Sequence, residues 1–145
     1  MEKQLRLGME NNMITKFEAF DKKMPNDNYE IFEIVQNKDG LSIVLLGHQY
    51  KIKITFGFVT SFCVFDEGAR IKSYNEIVEI QEYRKNKFKG NPLYLSITDT
   101  PFKNWLNDES CGFCHDAKHF MIVTINDMVD IASQFAPQIE VDLIG

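Results

Sequence analysis

Tyr50-Lys51-Ile52-Lys53-Ile54-Thr55-Phe56 is the stretch that decides the fold. Ile52, Ile54 and Phe56 alternate with Lys51, Lys53 and Thr55, and a period of two puts apolar side chains on one face and polar ones on the other. That pattern marks a half-buried strand with a core on one side and water on the other. Upstream, the β-forming runs 29–35 and 41–46 bracket Asn37-Lys38-Asp39-Gly40, and Asp-Gly in that position is a strong hairpin signal. Gly47-His48-Gln49 turns the chain a second time, so three successive strands form an antiparallel meander. Beyond Gly57 the alternation blurs through Phe58, Val59, Phe62, Cys63, Val64 and Phe65. A glycine there marks a bulge or bend, with both faces covered after it.

Outside the meander the period changes. Met13, Ile14, Phe17 and Phe20, with Met24 beyond, recur at helical spacing and predict a short amphipathic helix, broken by Pro25-Asn26-Asp27-Asn28. Ser73 and Glu76 have capping-box spacing. Ile77, Val78, Ile80 and Tyr83 behind them predict a helical stripe that stops near Lys89-Gly90-Asn91-Pro92. Residues 93–97 read as a short strand. Thr98 or Asp99 then caps a helix with Pro101 near its first position and Phe102, Trp105 and Leu106 as its buried stripe. Residues 119–125 read as a strand, and Asn126-Asp127 as a turn or an N-cap, so that 128–132 is a partner strand or a helix. The β-branched Val129 and Ile131 favour the hairpin. A last extended piece covers 139–143. The expectation is a single α+β domain over 1–145, a mainly antiparallel sheet of about six strands with two or three short helices on one face.

Composition removes several classes. With 44% apolar, 26% charged and three cysteines, the chain is neither disordered nor a disulfide scaffold. No apolar run approaches the roughly 18 residues of a membrane span. The first twelve residues mix charges and lack an apolar signal core, so a cytoplasmic protein is expected. The net charge of −5 is uneven: from Asn91 onward only Lys103 and Lys118 oppose Asp99, Asp108, Glu109, Asp116, Asp127, Asp130, Glu140 and Asp142. Such a region repels nucleic acid and anionic lipid and speeds encounter with a basic partner.

Chemistry-bearing motifs are sparse. Cys111-Gly112-Phe113-Cys114-His115 matches the c-type haem attachment pattern formally, but that attachment occurs outside the cytoplasm. Cys111 and Cys114 also have zinc-ligand spacing, with His115 or His119 as a third ligand and Cys63 or His48 as a distant fourth. This is one half-motif where structural zinc sites usually show two. A small metal- or ligand-binding module built on the 111–119 loop is therefore the alternative reading, beside two plain loop cysteines and a core Cys63. A redox dithiol would want the pair at a helix start, and a loop and strand are expected to follow it. No nucleophile elbow, zinc-protease helix or phosphate-binding loop is present, so no enzyme, catalytic residue, cofactor or metal is expected. Arg84, Lys85, Lys87 and Lys89 read as the basic end of a helix.

The segment Lys53-Ile54-Thr55-Phe56-Gly57-Phe58-Val59-Thr60-Ser61-Phe62, running into Asp66-Glu67, is similar to the central strand of a group of small bacterial proteins. Trp105-Leu106-Asn107-Asp108-Glu109-Ser110, His119-Phe120-Met121-Ile122-Val123-Thr124, Asp127-Met128-Val129-Asp130-Ile131-Ala132 and Pro137 extend the likeness over about 50–140. The chain thus resembles the small acidic immunity proteins of polymorphic toxin systems and related uncharacterised proteins. The resemblance implies stoichiometric occlusion of a cognate toxin, basic where the toxin is a nuclease. With the acidic last third, it points to a partner-binding surface that includes Asp108, Glu109, Asp116 and Asp130.

Overall fold

The structure, a computed structural model, describes residues 15–144. Among them nine strands form two antiparallel sheets. In chain order these are β1 (Phe17–Ala19), β2 (Glu30–Asn37), β3 (Gly40–Leu46), β4 (Tyr50–Phe56), β5 (Ser61–Asp66), β6 (Leu93–Ser96), β7 (Lys118–Val123), β8 (Asp127–Ser133) and β9 (Gln138–Leu143). A single 3-10 turn, Glu67–Arg70, leads into α1 (Ile71–Glu76) and α2 (Val78–Lys85), and α3 spans Pro101–Glu109. The α+β, antiparallel class is as the sequence predicts, with nine strands in place of about six.

The expected meander is present as β2-β3-β4, extended by β9 into a four-stranded sheet. Gly40 closes its first hairpin at φ +124°, where a Cβ would come within 2.0 Å of the Phe56 carbonyl oxygen. After Gly57 the chain leaves this sheet and enters β5, the edge of a five-stranded sheet ordered β1-β6-β7-β8-β5. The alternating faces of the two sheets meet in one apolar layer. Ile43, Ile52, Ile54 and Phe56 pack there against Leu93, Phe120, Ile122, Val129 and Ile131. The opposite face of the five-stranded sheet carries the helices: Phe17, Tyr94, Met121 and Met128 meet Tyr74, Ile77, Ile80 and Tyr83. Leu106 of α3 packs on Ala117 and Ala132. The molecule is therefore layered as sheet, sheet, helices.

Several expectations change. Residues 17–19 form a strand, not a helix. Phe17 joins the helix-side cluster while Phe20 and Met24 belong to the layer between the sheets, so the helical spacing never corresponded to one face. Pairing with β6 overrides the local period, as tertiary contacts commonly do; Met13 and Ile14 lie outside the described residues. The helix expected behind Ser73 is two helices, broken at Ile77 with φ −89° and ψ 118°. Ser73 does not cap: it sits within α1 and bonds the Arg70 side chain. Val78 is exposed. The cap of α3 is Thr100, whose hydroxyl accepts from the Lys103 N–H at 3.1 Å, with Pro101 at the first turn. Trp105, expected in the buried stripe, faces water, because α3 rests on the sheet through Leu106, one position and about 100° further round the helix. The 128–132 alternative resolves to a strand, β8.

Candidate functional site

Two features stand out on the helix side, a buried polar network beneath a cleft and an exposed acidic-aromatic surface. The network begins with strand pairing. β7 and β8 are antiparallel, with His119 opposite Ala132 and Met121 opposite Asp130. His119 and Asp130 are therefore diagonal neighbours on one face of the two central strands, and His119 Nε2 lies 2.7 Å from Asp130 Oδ1. The Thr100 hydroxyl lies 2.8 Å from His119 Nδ1. Arg70 reaches in from the 3-10 turn, donating to Asp130 Oδ2 through one terminal nitrogen. Its Nε and other terminal nitrogen donate to Ser73 Oγ at 3.2 and 3.0 Å.

Asp130 is 2% exposed. Burial pushes its carboxyl up, but the His119 hydrogen bond, the His119 and Arg70 charges and the Arg70 hydrogen bond outweigh it and hold the group below the usual carboxylate range. An ionised Asp130 only accepts, so Nε2 carries a proton, and in the neutral ring Nδ1 accepts from the Thr100 O–H. The rings of Phe17 and Phe102 flank the imidazole at centroid distances of 5.3 and 4.8 Å. Above this floor a cleft of about 620 Å³ opens between the 69–77 segment and the start of α3.

Sequence reading treats Asp130 as one of four surface acids. That is corrected: its position faces the helix layer, both carboxylate oxygens are bonded, and it offers nothing to a partner. Asp108, Glu109 and Asp116 are exposed. Asp108 and Glu109 lie three and four residues beyond Trp105, on the same side of α3, and Trp105 is 57% exposed. Phe113, in the following loop, is 87% exposed, and Phe135 58%. Gln134 Nε2 donates to Asp116 at 2.8 Å, which ties the β8–β9 turn to that loop.

The loop does not assemble the metal set considered from the sequence. His119 uses both ring nitrogens in the buried network, His115 Nδ1 lies 3.0 Å from the Gly112 carbonyl, and among the described residues no three His, Cys, Asp or Glu side chains are grouped to hold an ion. Cys63 is half-buried. The basic run falls where expected, with Arg84 and Lys85 in the last turn of α2. Among the described residues no helix is long and apolar enough to cross a membrane. Comparisons with protein-family models, with curated proteins and with solved structures find no match.

Sequence reasoning missed the network, although a signal was present. His119 and Asp130 are the polar interruptions of two otherwise apolar runs, and a turn near 125 puts them on one face. Nothing local points to Arg70 or Thr100 as their partners.

Proposed function

We propose that this chain is a protein-binding module of the immunity type, which neutralises a basic toxin by stoichiometric occlusion, and that it docks through the end of α3 and the 110–117 loop. The observation that carries the reading is Phe113, a large apolar ring almost wholly in water on a loop that is braced by hydrogen bonds. Gly112 N–H donates to the Asn107 carbonyl at 2.8 Å, Cys114 N–H to Ser110 Oγ at 3.0 Å, and Ala117 N–H to the Cys114 carbonyl at 3.1 Å. A ring presented on a pre-ordered loop loses little entropy on binding. Trp105 and Phe135 supply further anchors of the type that dominates interface energetics. Asp108, Glu109 and Asp116 supply the charge that steers a cationic protein.

The test uses the product of the gene adjacent to this one. A 1:1 complex and rescue of growth are expected. Trp105→Ala with Phe113→Ala should speed dissociation at least about tenfold, and Asp108→Lys, Glu109→Lys and Asp116→Lys together should slow association and flatten its salt dependence. A neighbouring product that forms no complex, or a complex indifferent to both sets, overturns the proposal.

A further inference from the structure

We infer that the cleft over the Arg70–Asp130–His119 network is a binding site for a small zwitterion of amino-acid to dipeptide size, its carboxylate held by Arg70 and its ammonium by Asp99. This goes beyond the docking reading, uses none of its residues, and stands or falls separately.

The first element is the donor inventory of Arg70. A guanidinium has five N–H groups. Three are used, one on Asp130 and two on Ser73 Oγ, which leaves one N–H on each terminal nitrogen without a partner among the described residues. The side chain keeps 18% of its surface exposed, and Arg70 lines the cleft. Asp130, Ser73 and the Phe65 ring, 4.8 Å from the guanidinium carbon, pin the guanidinium plane, so the remaining donors are pre-oriented and available to a carboxylate.

The second element is the distribution of charge around the opening. Arg70, Lys72 and Glu76 come from the 69–77 wall, and Asp99, exposed and without an ion pair to a described residue, stands on the wall that begins α3. Arg70 and Lys72 outnumber Glu76 on the 69–77 wall and Asp99 faces them from the other, while Asp130 beneath Arg70 leaves the site without net positive charge. A phosphate dianion would find only Arg70 and Lys72 against Glu76, Asp99 and the buried Asp130, too few cations to hold two further negative charges. A molecule carrying one charge of each sign satisfies both walls. The third element is the apolar surface between them, Phe17, Ile77 and Phe102, which suits a hydrocarbon side chain. A volume of about 620 Å³ lies within the range of small-molecule sites, roughly 300–1,000 Å³.

The test titrates the full chain, followed by amide and imidazole NMR shifts, with L-phenylalanine, 3-phenylpropanoate, 2-phenylethylamine and inorganic phosphate. L-phenylalanine should bind about tenfold tighter than either half-analogue, since each lost charged contact removes about that much. Asp99→Asn should abolish the preference over 3-phenylpropanoate. Arg70→Lys, which keeps the charge beside Asp130 but loses the fork, should weaken both carboxylates about tenfold. Asn104→Trp, at an exposed position on the rim, should block all binding without depending on the buried network. Equal affinity for the zwitterion and its halves, preference for phosphate, or no saturable shift at millimolar ligand overturns the inference, and so does binding that survives Asn104→Trp.

Discussion

Replacing Asp130 by Asn tests the central claim about the buried network, because it keeps the shape and removes the charge. The carboxylate accepts from Arg70 on one oxygen and from His119 on the other. Asn offers one oxygen and one NH2 group, so with its oxygen on Arg70 the NH2 faces His119 Nε2, which accepts only if the ring shifts its proton to Nδ1, and the charge that Arg70 was paired with is gone either way. Breaking one member of a buried ion pair costs about 3–5 kcal/mol. Arg70 is partly exposed and keeps its Ser73 bonds, so the cost falls below that range, at about 2–3 kcal/mol. For a domain of this size that lowers Tm by about 5–10 °C. Urea unfolding followed by circular dichroism reads the loss directly. A cycle with Arg70→Met should show coupling of at least about 1 kcal/mol, because the second change removes the charge the first one strands. The pH dependence has a definite sign. The folded-state pKa of Asp130 lies below its unfolded value, so its contribution is complete above the unfolded pKa of about 3.9 and disappears as pH falls through the folded one. The gap between wild type and variant should hold from neutral pH to about 5 and then narrow steadily as pH falls below about 4 toward the folded value. A loss under about 0.5 kcal/mol, an additive cycle, or a gap that does not narrow below about pH 4 would overturn this account of the network.

Further outcomes follow from other contacts. Gly40→Ala places a Cβ 2.0 Å from the Phe56 carbonyl oxygen at a positive φ and should cost well over about 1 kcal/mol in urea unfolding. Thr100→Val removes both the α3 cap and the partner of His119 Nδ1 and should cost about 1–3 kcal/mol, with Thr100→Ser restoring most of it. Asp127 sits directly opposite Asp66 across β5–β8, and burial together with the Asp66 charge raises its pKa. Asp127→Asn should therefore stabilise the protein at neutral pH by about 0.2–1 kcal/mol. A raised folded pKa is a contribution lost as pH rises, so that gain should vanish below about pH 4.

What was legible in the sequence was what a single strand or turn determines by itself. The 50–56 alternation, the Asp39-Gly40 turn and the 119–132 hairpin reappear as β4, the β2–β3 turn and β7–β8, since period two and turn chemistry are local properties. What was not legible depended on distant partners. Phe17–Ala19 becomes a strand because the edge of β6 is available to it. α1 and α2 separate at Ile77 although both contribute to one apolar cluster, an arrangement a continuous stripe does not reveal. The acidic balance correctly marks Asp108, Glu109 and Asp116 as exposed and misplaces Asp130, because net charge counts a buried, neutralised carboxylate with the solvated ones.

The two proposed sites hang on opposite ends of one helix, and that geometry separates their perturbations. Thr100 anchors the start of α3 to His119, while Asp108, Glu109 and the Phe113 loop lie at its other end. Nine residues at about 1.5 Å each put roughly 13 Å between the ends. Charges in water are screened over about 8–10 Å at physiological salt. Reversing Asp108 and Glu109 should therefore leave the cleft's ligand affinity unchanged, and Asp99→Asn should leave docking unchanged. Asp130→Asn acts differently. It loosens the tie of Arg70 and His119 to the sheet, and with it the seat of both the cleft wall and the helix, so it should weaken both activities together. Independent responses to the surface charges combined with a shared response to the buried one are the signature of two sites on one rigid mount.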